Sequence, residues 1–223
     1  IQKKYNPHEK TYSKYLELVA LGTIADIAPL TGENRIIVKS GLAIMQNTKI
    51  IGLKALIDIC IKKEIIDTRT VGYRIAPRLN AAGRLANASA GVNLLIIDDG
   101  AEALRLANFL DYENAERQSI EKQILELADR QVQEYGKDKK KVIIVLGNNW
   151  HPGVIGIVAS RLVDKYYRPV IVISVIDGVG KGSCRSITNF DMYDALSTAS
   201  DLLIQFGGHR QAAGLTIFPE DIP

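Results

Sequence analysis

Residues 205–210, with the sequence QFGGHR, place two glycines before a histidine and an arginine inside an otherwise apolar stretch. Glycine has no side chain, so a ligand can come close to the backbone N–H groups on either side of it. Imidazole and guanidinium groups donate hydrogen bonds to oxyanions. The pattern predicts a glycine-rich turn at which a chain of phosphates approaches Gly207 and Gly208, with His209 as a hydrogen-bond donor.

A second cationic segment precedes it, at residues 180–186 (GKGSCRS). If this segment is a strand, alternation places Lys181, Ser183 and Arg185 on one face. That face would be cationic and able to donate hydrogen bonds, which suits a phosphate backbone. The alternative is an edge strand whose lysine is solvated and protects the edge from pairing with another chain.

Residues 75–85 (IAPRLNAAGRL) hold Arg78, Asn80 and Arg84 among small residues. Alanine and glycine allow close backbone approach, and arginine binds anions through paired N–H groups, so an anion or phosphate site is one interpretation. The other interpretation is a tight contact between helices, with the arginines solvated. The spacing alone does not choose between them.

Residues 101–135 predict one long helix that ends at Gly136, because the segment contains no proline or glycine. Its apolar stripe is interrupted by polar residues, among them Asn114, Arg117 and Gln118. The usual reason is that such a helix crosses a gap between domains, where water replaces the core. The functional alternative is that Gln118 and its neighbours face a cleft.

Residues 150–162 (WHPGVIGIVASRL) predict a turn from a strand into a helix, starting after His151. The N–H groups at the start of this helix are candidates for binding an anion. Arg161 falls in register with the apolar residues and extends their buried stripe. Alternatively, its aliphatic part lies along the core while the guanidinium remains solvated.

Asp26 ends the apolar stretch YLELVALGTIAD. An ionised carboxylate in a buried helix is costly unless it is paired, hydrogen-bonded or bound to a metal. The local sequence favours the simpler interpretation, an exposed aspartate at a helix end before Pro29, because charged residues usually reach solvent.

Composition narrows the class of protein. The 223 residues are 47% hydrophobic and 24% charged, as in a folded globular protein, and no apolar run reaches the roughly 20 residues of a membrane span. Two cysteines, Cys60 and Cys184, exclude a disulfide framework and favour a reducing compartment, so we expect a cytoplasmic location. The net charge of +3 permits nucleic-acid binding without requiring it.

The order of the elements predicts an α/β fold in three parts. Residues 1–98 are mainly helical, residues 99–137 form a connecting helix, and residues 138–223 form a small α/β domain. Within the last part, the segments KVIIVLG and RPVIVISV flank a helix, which is typical of two parallel strands joined by a crossover.

Six segments, in order along nearly the whole chain, resemble the RecJ family of single-stranded-DNA-specific exonucleases in the DHH phosphoesterase superfamily. They are VALGTIADIAPL, APRLNAAGRL, LDYENAERQ, WHPGVIGIVASRL, GKGSCRS and FGGHRQAAG. The resemblance implies that residues 1–98 are the later part of a DHH catalytic domain, residues 99–137 its connecting helix, and residues 138–223 the DHH-associated substrate-binding domain. The DNA strand would lie in the cleft between the two domains.

The resemblance also implies a chemistry. Family members bind two Mn²⁺ or Mg²⁺ ions through aspartates and histidine, activate water against a phosphodiester, and release 5′-mononucleotides in the 5′ to 3′ direction during DNA repair and recombination. Asp26 matches a metal-ligating aspartate, against the local preference for an exposed one, and His209 matches a histidine at the scissile phosphate. The residues that match the DNA-gripping positions are Asn80, Arg84, Gln118, Arg161, Lys181, Ser183, Arg185, Gly207 and Gly208.

The sequence departs from the family in what it omits. It contains neither the early aspartate motif nor the Asp-His-His motif, and no oligonucleotide-binding fold follows the last domain. We therefore expect a fragment that does not assemble the metal pair or cut DNA by itself, but keeps much of the surface that binds single-stranded DNA. Other repair proteins are further candidate partners. The alternatives are an oligoribonuclease or other short-oligonucleotide phosphodiesterase, and a non-catalytic scaffold that binds nucleic acid or protein.

Overall fold

The structure is a computed structural model that describes residues 15–61, 65–85, 89–134, 136 and 139–222. The chain divides into two compact units, residues 1–115 and residues 116–223. Among the residues described, no helix is both long and apolar enough to cross a membrane.

Unit 1 is helical, as the sequence predicts. Its helices are α1 (Leu16–Ala25), α2 (Gly32–Met45), α3 (Ile51–Cys60), α4 (Ala76–Leu85), α5 (Ser89–Ile96) and the first part of α6 (Gly100–Glu134). The side chains of Met45, Leu53, Leu56, Ile75 and Leu110 are fully buried in one apolar core. Burial of these residues is the main stabilising contribution to this unit.

The segment that leads into α4 is irregular. One α-helical turn at Thr68–Thr70 passes into a π-helical turn at Val71–Ile75, and α4 continues from it. Asp67 caps the start, since its carboxylate accepts a hydrogen bond from the Thr70 N–H at 2.7 Å. A π-helical turn adds a residue to the helical repeat and so rotates the following residues relative to the preceding turn.

Helix α6 confirms the long helix that was expected over residues 101–135. Gly136 follows it with a φ of +60°, a left-handed conformation that stops a helix and that glycine adopts without strain. Residues 100–115 belong to unit 1 and residues 116–134 to unit 2.

Unit 2 contains a five-stranded sheet in the order β1-β2-β3-β5-β4 within the described residues. Its strands are β1 (Ile143–Asn148), β2 (Val170–Ile176), β3 (Val179–Arg185), β4 (Gln205–His209) and β5 (Ala212–Ile217). β1 and β2 are parallel and joined through α7 (Pro152–Tyr166), which confirms the crossover and the α/β class; the other neighbours are antiparallel.

Two sequence-based interpretations of this sheet were wrong. β3 is its central strand, so Lys181 does not protect an exposed edge. The FGGH segment is not a turn, because Gly207 and Gly208 lie inside β4, and the chain reverses after them at Arg210 and Gln211. Glycine-rich sequence predicts a turn when it is considered alone, but pairing with β5 extends this one.

Helices cover the two faces of the sheet at different places. α7 packs against β2 and β3 on one face. On the other face, α8 (Met192–Thr198) packs against β4 and β5, where Met192 and Leu196 join a core that includes Cys184 and Leu215. The side of β5 and β4 opposite α8 is therefore the side on which polar and small residues reach the surface.

Candidate nucleic-acid interface

Strand register brings the predicted residues of β3 and β4 onto one face of the sheet. Residues directly opposite one another in antiparallel strands point to the same side, and β5 joins β3 to β4 in this way. Three rows result, and they are Arg185–Ala212–His209, Ser183–Gly214–Gly207 and Lys181–Thr216–Gln205. We call these nine residues the open face.

The open face is accessible over β5 and β4, where small residues such as Ala212 and Gly214 occupy β5. Gly207, His209 and Gly214 are exposed, and so is Lys181. Neighbouring strands lie about 4.8 Å apart, so each row extends over about 10 Å from β3 to β4. The result is a shelf with Lys181 and Arg185 on the β3 side, His209 on the β4 side and little side-chain bulk between them.

Arg185 is held in place at the boundary between the open face and α7. Its Nη1 donates hydrogen bonds to the Ser183 hydroxyl at 3.1 Å and to the Cys184 carbonyl at 2.8 Å. A Cβ at Gly156 would lie 2.9 Å from Arg185 Nη2 and 3.0 Å from Ser183 Oγ. The absence of a side chain at Gly156 therefore lets the guanidinium lie against the helix.

The two neighbouring glycines of β4 have different roles. Gly208 has a φ of +149°, and a Cβ there would lie 2.4 Å from both the Ala212 carbonyl oxygen and the Ala213 Cα. It is needed for strand pairing. A Cβ at Gly207 would meet nothing within 4 Å, and this residue lies on the open face. Glycine at Gly207 therefore leaves open space on this face and is not required by packing.

The side chains of Lys181 and His209 have no hydrogen-bond or ion-pair partner among the residues described. Both are exposed on the open face, one on β3 and the other at the end of β4. Their donors are available to a ligand without breaking a contact inside the protein. An anionic strand that crosses the shelf would meet Lys181, Arg185 and His209 together.

The start of α7 does not offer the anion site that was expected from the sequence. His151 caps this helix, because its Nδ1 accepts a hydrogen bond from the Gly153 N–H at 3.1 Å. Its carbonyl oxygen accepts from the N–H groups of Val154 and Ile155. The N–H groups of Gly153, Val154 and Ile155 are therefore all bonded to His151 and are not available to an anion.

Two polar side chains of α6 in unit 2 are buried, although several of their polar neighbours are exposed. In unit 2, Arg117 and Glu121 are 9% and 8% exposed and form an ion pair of 2.6 Å. Glu121 also accepts a hydrogen bond from Arg161 Nε at 3.2 Å. Arg161 does not extend the buried stripe of α7, since its side chain is 61% exposed. Gln118, one residue along from Arg117, is exposed.

In the α4 segment, Ala81 and Ala82 are fully buried, as expected for packing between helices, and Asn80 and Arg84 are exposed, which is compatible with either interpretation. Arg78 is committed to the fold: its Nε donates to Asp111 at 2.7 Å and its Nη1 to the Arg74 carbonyl at 2.7 Å.

Asp26 is exposed and follows α1 directly, with its N–H bonded to the Gly22 carbonyl at 3.0 Å. The described residues contain no group of three or more His, Cys, Asp or Glu side chains placed to hold a metal ion. A single carboxylate supplies one or two of the six ligands that Mg²⁺ requires. The described residues by themselves therefore do not fit a two-metal centre.

Three residues of this region were missed from the sequence. Gly156 lies inside an apolar helix, where nothing marks a contact with Arg185. Gly214 occupies the middle row of the open face, which depends on register. The ion pair of Glu121 could have been predicted from the sequence, because Glu121 lies four residues after Arg117, the spacing at which two side chains meet on one helix face.

Comparison with known proteins gives a consistent result. Residues 138–223 match the DHHA1 domain. The chain is 44% identical to the single-stranded-DNA-specific exonuclease RecJ of Bacillus subtilis over 93% of its own length and 27% of that protein. It is 40% identical to RecJ of Escherichia coli, over 92% of this chain and 37% of the other.

Solved structures agree with the sequence comparison. RecJ from Thermus thermophilus in complex with Mg²⁺ superposes with a TM-score of 0.83 at 40% identity, over 94% of this chain and 33% of that one. A structure of exonuclease RecJ bound to manganese gives a TM-score of 0.79 over 92% of this chain and 51% of the other. The chain spans about a third of the length of its relatives, and over that part it is similar to the RecJ exonucleases in both sequence and fold.

Proposed function

We propose that this chain is the strand-binding part of a metal-dependent, single-stranded-DNA-specific exonuclease that releases 5′-mononucleotides in the 5′ to 3′ direction and acts in DNA repair and recombination. The open face is the observation that carries the proposal. It combines exposed cationic donors with a floor of small residues, and such an arrangement suits a phosphate backbone better than a protein surface. Similarity to the RecJ exonucleases supports single-stranded DNA as the ligand.

The proposed roles follow the positions of the side chains. Lys181, Ser183 and Arg185 bind phosphates from β3, while Gly207 gives the strand access to β4 and His209 contacts the phosphate that is cleaved. Gly208 supports this segment through strand pairing. The remaining proposed contacts come from Gln118 and Arg161 in unit 2 and from Asn80 and Arg84 in unit 1, all of which have exposed side chains.

For the domain organisation, we propose that residues 1–98 are the later part of a DHH catalytic domain and residues 99–137 its connecting helix. Residues 138–223 are then the substrate-binding domain, in agreement with the extent of the DHHA1 match. Asp26 is proposed as one ligand of the Mn²⁺ or Mg²⁺ ions of the intact enzyme. We expect the 223-residue chain alone to bind DNA without cutting it, because one aspartate cannot hold a metal pair.

Cellular location and partners are proposed on narrower grounds. The cysteines Cys60 and Cys184 are free thiols, and burial raises the pKa of the Cys184 thiol to about 12. A buried thiol of this kind is a core residue rather than a reactive one. Free thiols are typical of the cytoplasm, where we place the protein, with single-stranded DNA as its partner.

The experiment is a fluorescence-anisotropy titration of a labelled single-stranded oligonucleotide at several salt concentrations. Lys181→Ala and Arg185→Ala are compared with Lys122→Ala and Arg130→Ala, which remove the same charges from exposed positions on α6. Each phosphate interaction that a substitution removes should reduce the slope of log affinity against log salt by about 0.7. We expect this reduction for the first pair and not for the second.

Three results would contradict the proposal. Equal effects of all four substitutions would mean that binding depends on net charge and not on the open face. Binding that is absent at every salt concentration would favour a protein-binding scaffold. A preference for oligonucleotides of a few residues over longer strands would instead favour an oligoribonuclease.

A further inference from the structure

A buried carboxylate in unit 2 lies between two arginines. Glu121 on α6 accepts a hydrogen bond at Oε2 from Arg117 Nη1 at 2.6 Å and another at Oε1 from Arg161 Nε at 3.2 Å. Arg117 is one turn before it on the same helix, whereas Arg161 comes from α7. The carboxylate therefore uses one oxygen for a partner on its own helix and the other to link α6 to α7.

The exposures of the three side chains are unequal, and this inequality separates their roles. The side chains of Arg117 and Glu121 are 11% and 10% exposed, whereas that of Arg161 is 61% exposed. A buried carboxylate requires charged partners, and Arg117 supplies one within the protein. The second partner, Arg161, is a surface residue, so solvent could have satisfied its charge without Glu121.

The guanidinium of Arg161 is held by one of its three nitrogens. Glu121 accepts the Nε–H, and the two terminal Nη groups make no hydrogen bond or ion pair with any residue described. The guanidinium is planar and rigid, so anchoring it at Nε fixes the direction of its paired Nη donors, away from the anchor. This is the geometry in which arginine binds the two oxygens of a phosphate.

We propose that Glu121 is a positioning residue for nucleic-acid binding: it fixes the Arg161 guanidinium so that its Nη groups face a phosphate, and Arg117 holds Glu121 in place. The proposal rests on the proposed function, because it assigns a supporting role within the same strand-binding surface. Binding then costs less side-chain entropy, since the long Arg161 side chain is ordered before the strand arrives.

The test compares Glu121→Gln with Glu126→Gln by anisotropy with a labelled single-stranded oligonucleotide. Both substitutions remove one negative charge from α6, and Glu126 is an exposed residue whose nearest ion pair, with Lys122, is 4.0 Å long. Simple attraction between charges predicts equal or tighter binding by both variants. Positioning predicts that Glu121→Gln binds about three- to tenfold more weakly than Glu126→Gln, the size expected from disordering one long side chain.

A double-mutant cycle separates positioning from general damage to the fold. In an Arg161→Ala background, Glu121→Gln should have no further effect on affinity, because the side chain that it positions is gone. A role confined to helix packing would lower affinity by the same factor in both backgrounds. Circular dichroism of each variant establishes that the two helices remain folded.

Arg161→Lys provides a second route if Glu121→Gln does not fold. Lysine keeps the charge, but its three N–H donors radiate from one nitrogen, so an ammonium bound to Glu121 cannot present a parallel pair of donors to a phosphate. We expect its affinity to approach that of Arg161→Ala, and wild-type affinity would overturn the proposal. So would equal affinities of Glu121→Gln and Glu126→Gln alongside a clear loss in Arg161→Ala. Absence of salt-dependent binding in the wild type would instead refute the proposed function.

Discussion

Replacing each of the two neighbouring glycines of β4 by alanine should separate folding from ligand binding. Gly208→Ala places a methyl group 2.4 Å from the Ala212 carbonyl oxygen and from the Ala213 Cα, which are backbone atoms of the paired strand. Neither atom can move away without opening the β4–β5 pairing. Gly207→Ala places the same methyl group on the open face, where no atom lies within 4 Å.

The expected magnitudes follow from these contacts. Overpacking against a fixed backbone, together with a non-glycine residue held at a φ of +149°, should lower the free energy of unfolding of unit 2 by about 2–5 kcal/mol for Gly208→Ala. Gly207→Ala should change it by less than about 1 kcal/mol, because the methyl group meets only solvent. The same substitution should nevertheless weaken binding of single-stranded DNA, since it occupies space that the strand is proposed to use.

Urea denaturation followed by tryptophan fluorescence measures the difference. Trp150 is the single tryptophan of the chain and is 7% exposed within unit 2, so its emission reports on this unit. With a dependence of about 1–3 kcal/mol per molar urea, the midpoint for Gly208→Ala should fall by about 1–3 M. Equal midpoints for the two variants would refute the packing argument. Unchanged DNA affinity in Gly207→Ala would refute the role assigned to the open face.

Two further predictions concern α7. Gly156→Ala should leave the free energy of unfolding unchanged or raise it by up to about 1 kcal/mol, since alanine favours helix. It should nevertheless weaken DNA binding, because the added methyl group displaces Arg185. Denaturation and anisotropy measurements on the same variant test both effects, and wild-type DNA affinity would contradict the role of Gly156. Burial alone would raise the pKa of the Asp129 carboxyl, but hydrogen bonds from Lys165 and Tyr166 outweigh it and keep this pKa below its usual range. Asp129→Asn should therefore lower the unfolding free energy by about 1–2 kcal/mol at neutral pH. The difference should shrink as the pH falls through the folded-state pKa, where the wild-type carboxylate is also protonated, and a pH-independent difference would contradict this cause.

The sequence by itself determined the elements and many of their boundaries. The absence of proline and glycine predicts α6, and the left-handed Gly136 ends it as expected. Alternation in GKGSCRS predicts that Ser183 and Arg185 share a face opposite Cys184, and both the core around Cys184 and the contact of Arg185 with α7 agree. These features depend on periodicity and steric rules that act within a few residues, so they can be deduced without the fold.

Sequence reasoning failed where burial or pairing depends on residues distant in the chain. The polar residues of α6 gave no sign that Arg117 and Glu121 form a buried ion pair in unit 2, or that Arg161 of α7 adds a second hydrogen bond to Glu121. The FGGH segment suggested a turn, but pairing with β5 extends it. Charge and glycine content describe what a segment can do alone, whereas burial depends on which neighbours the fold supplies.

The residue types of the open face could therefore be predicted from the sequence, but their arrangement in space could not. Lys181, Arg185 and His209 could each be selected by residue type, together with the glycines beside them. Only the antiparallel register of β3 and β4 with β5 places these side chains on the same face of the sheet. A shift of one residue would turn the His209 side chain toward the α8 core. Register is fixed by packing of the alternate residues, such as Cys184 and Leu215, so the core of unit 2 decides where the cationic groups lie.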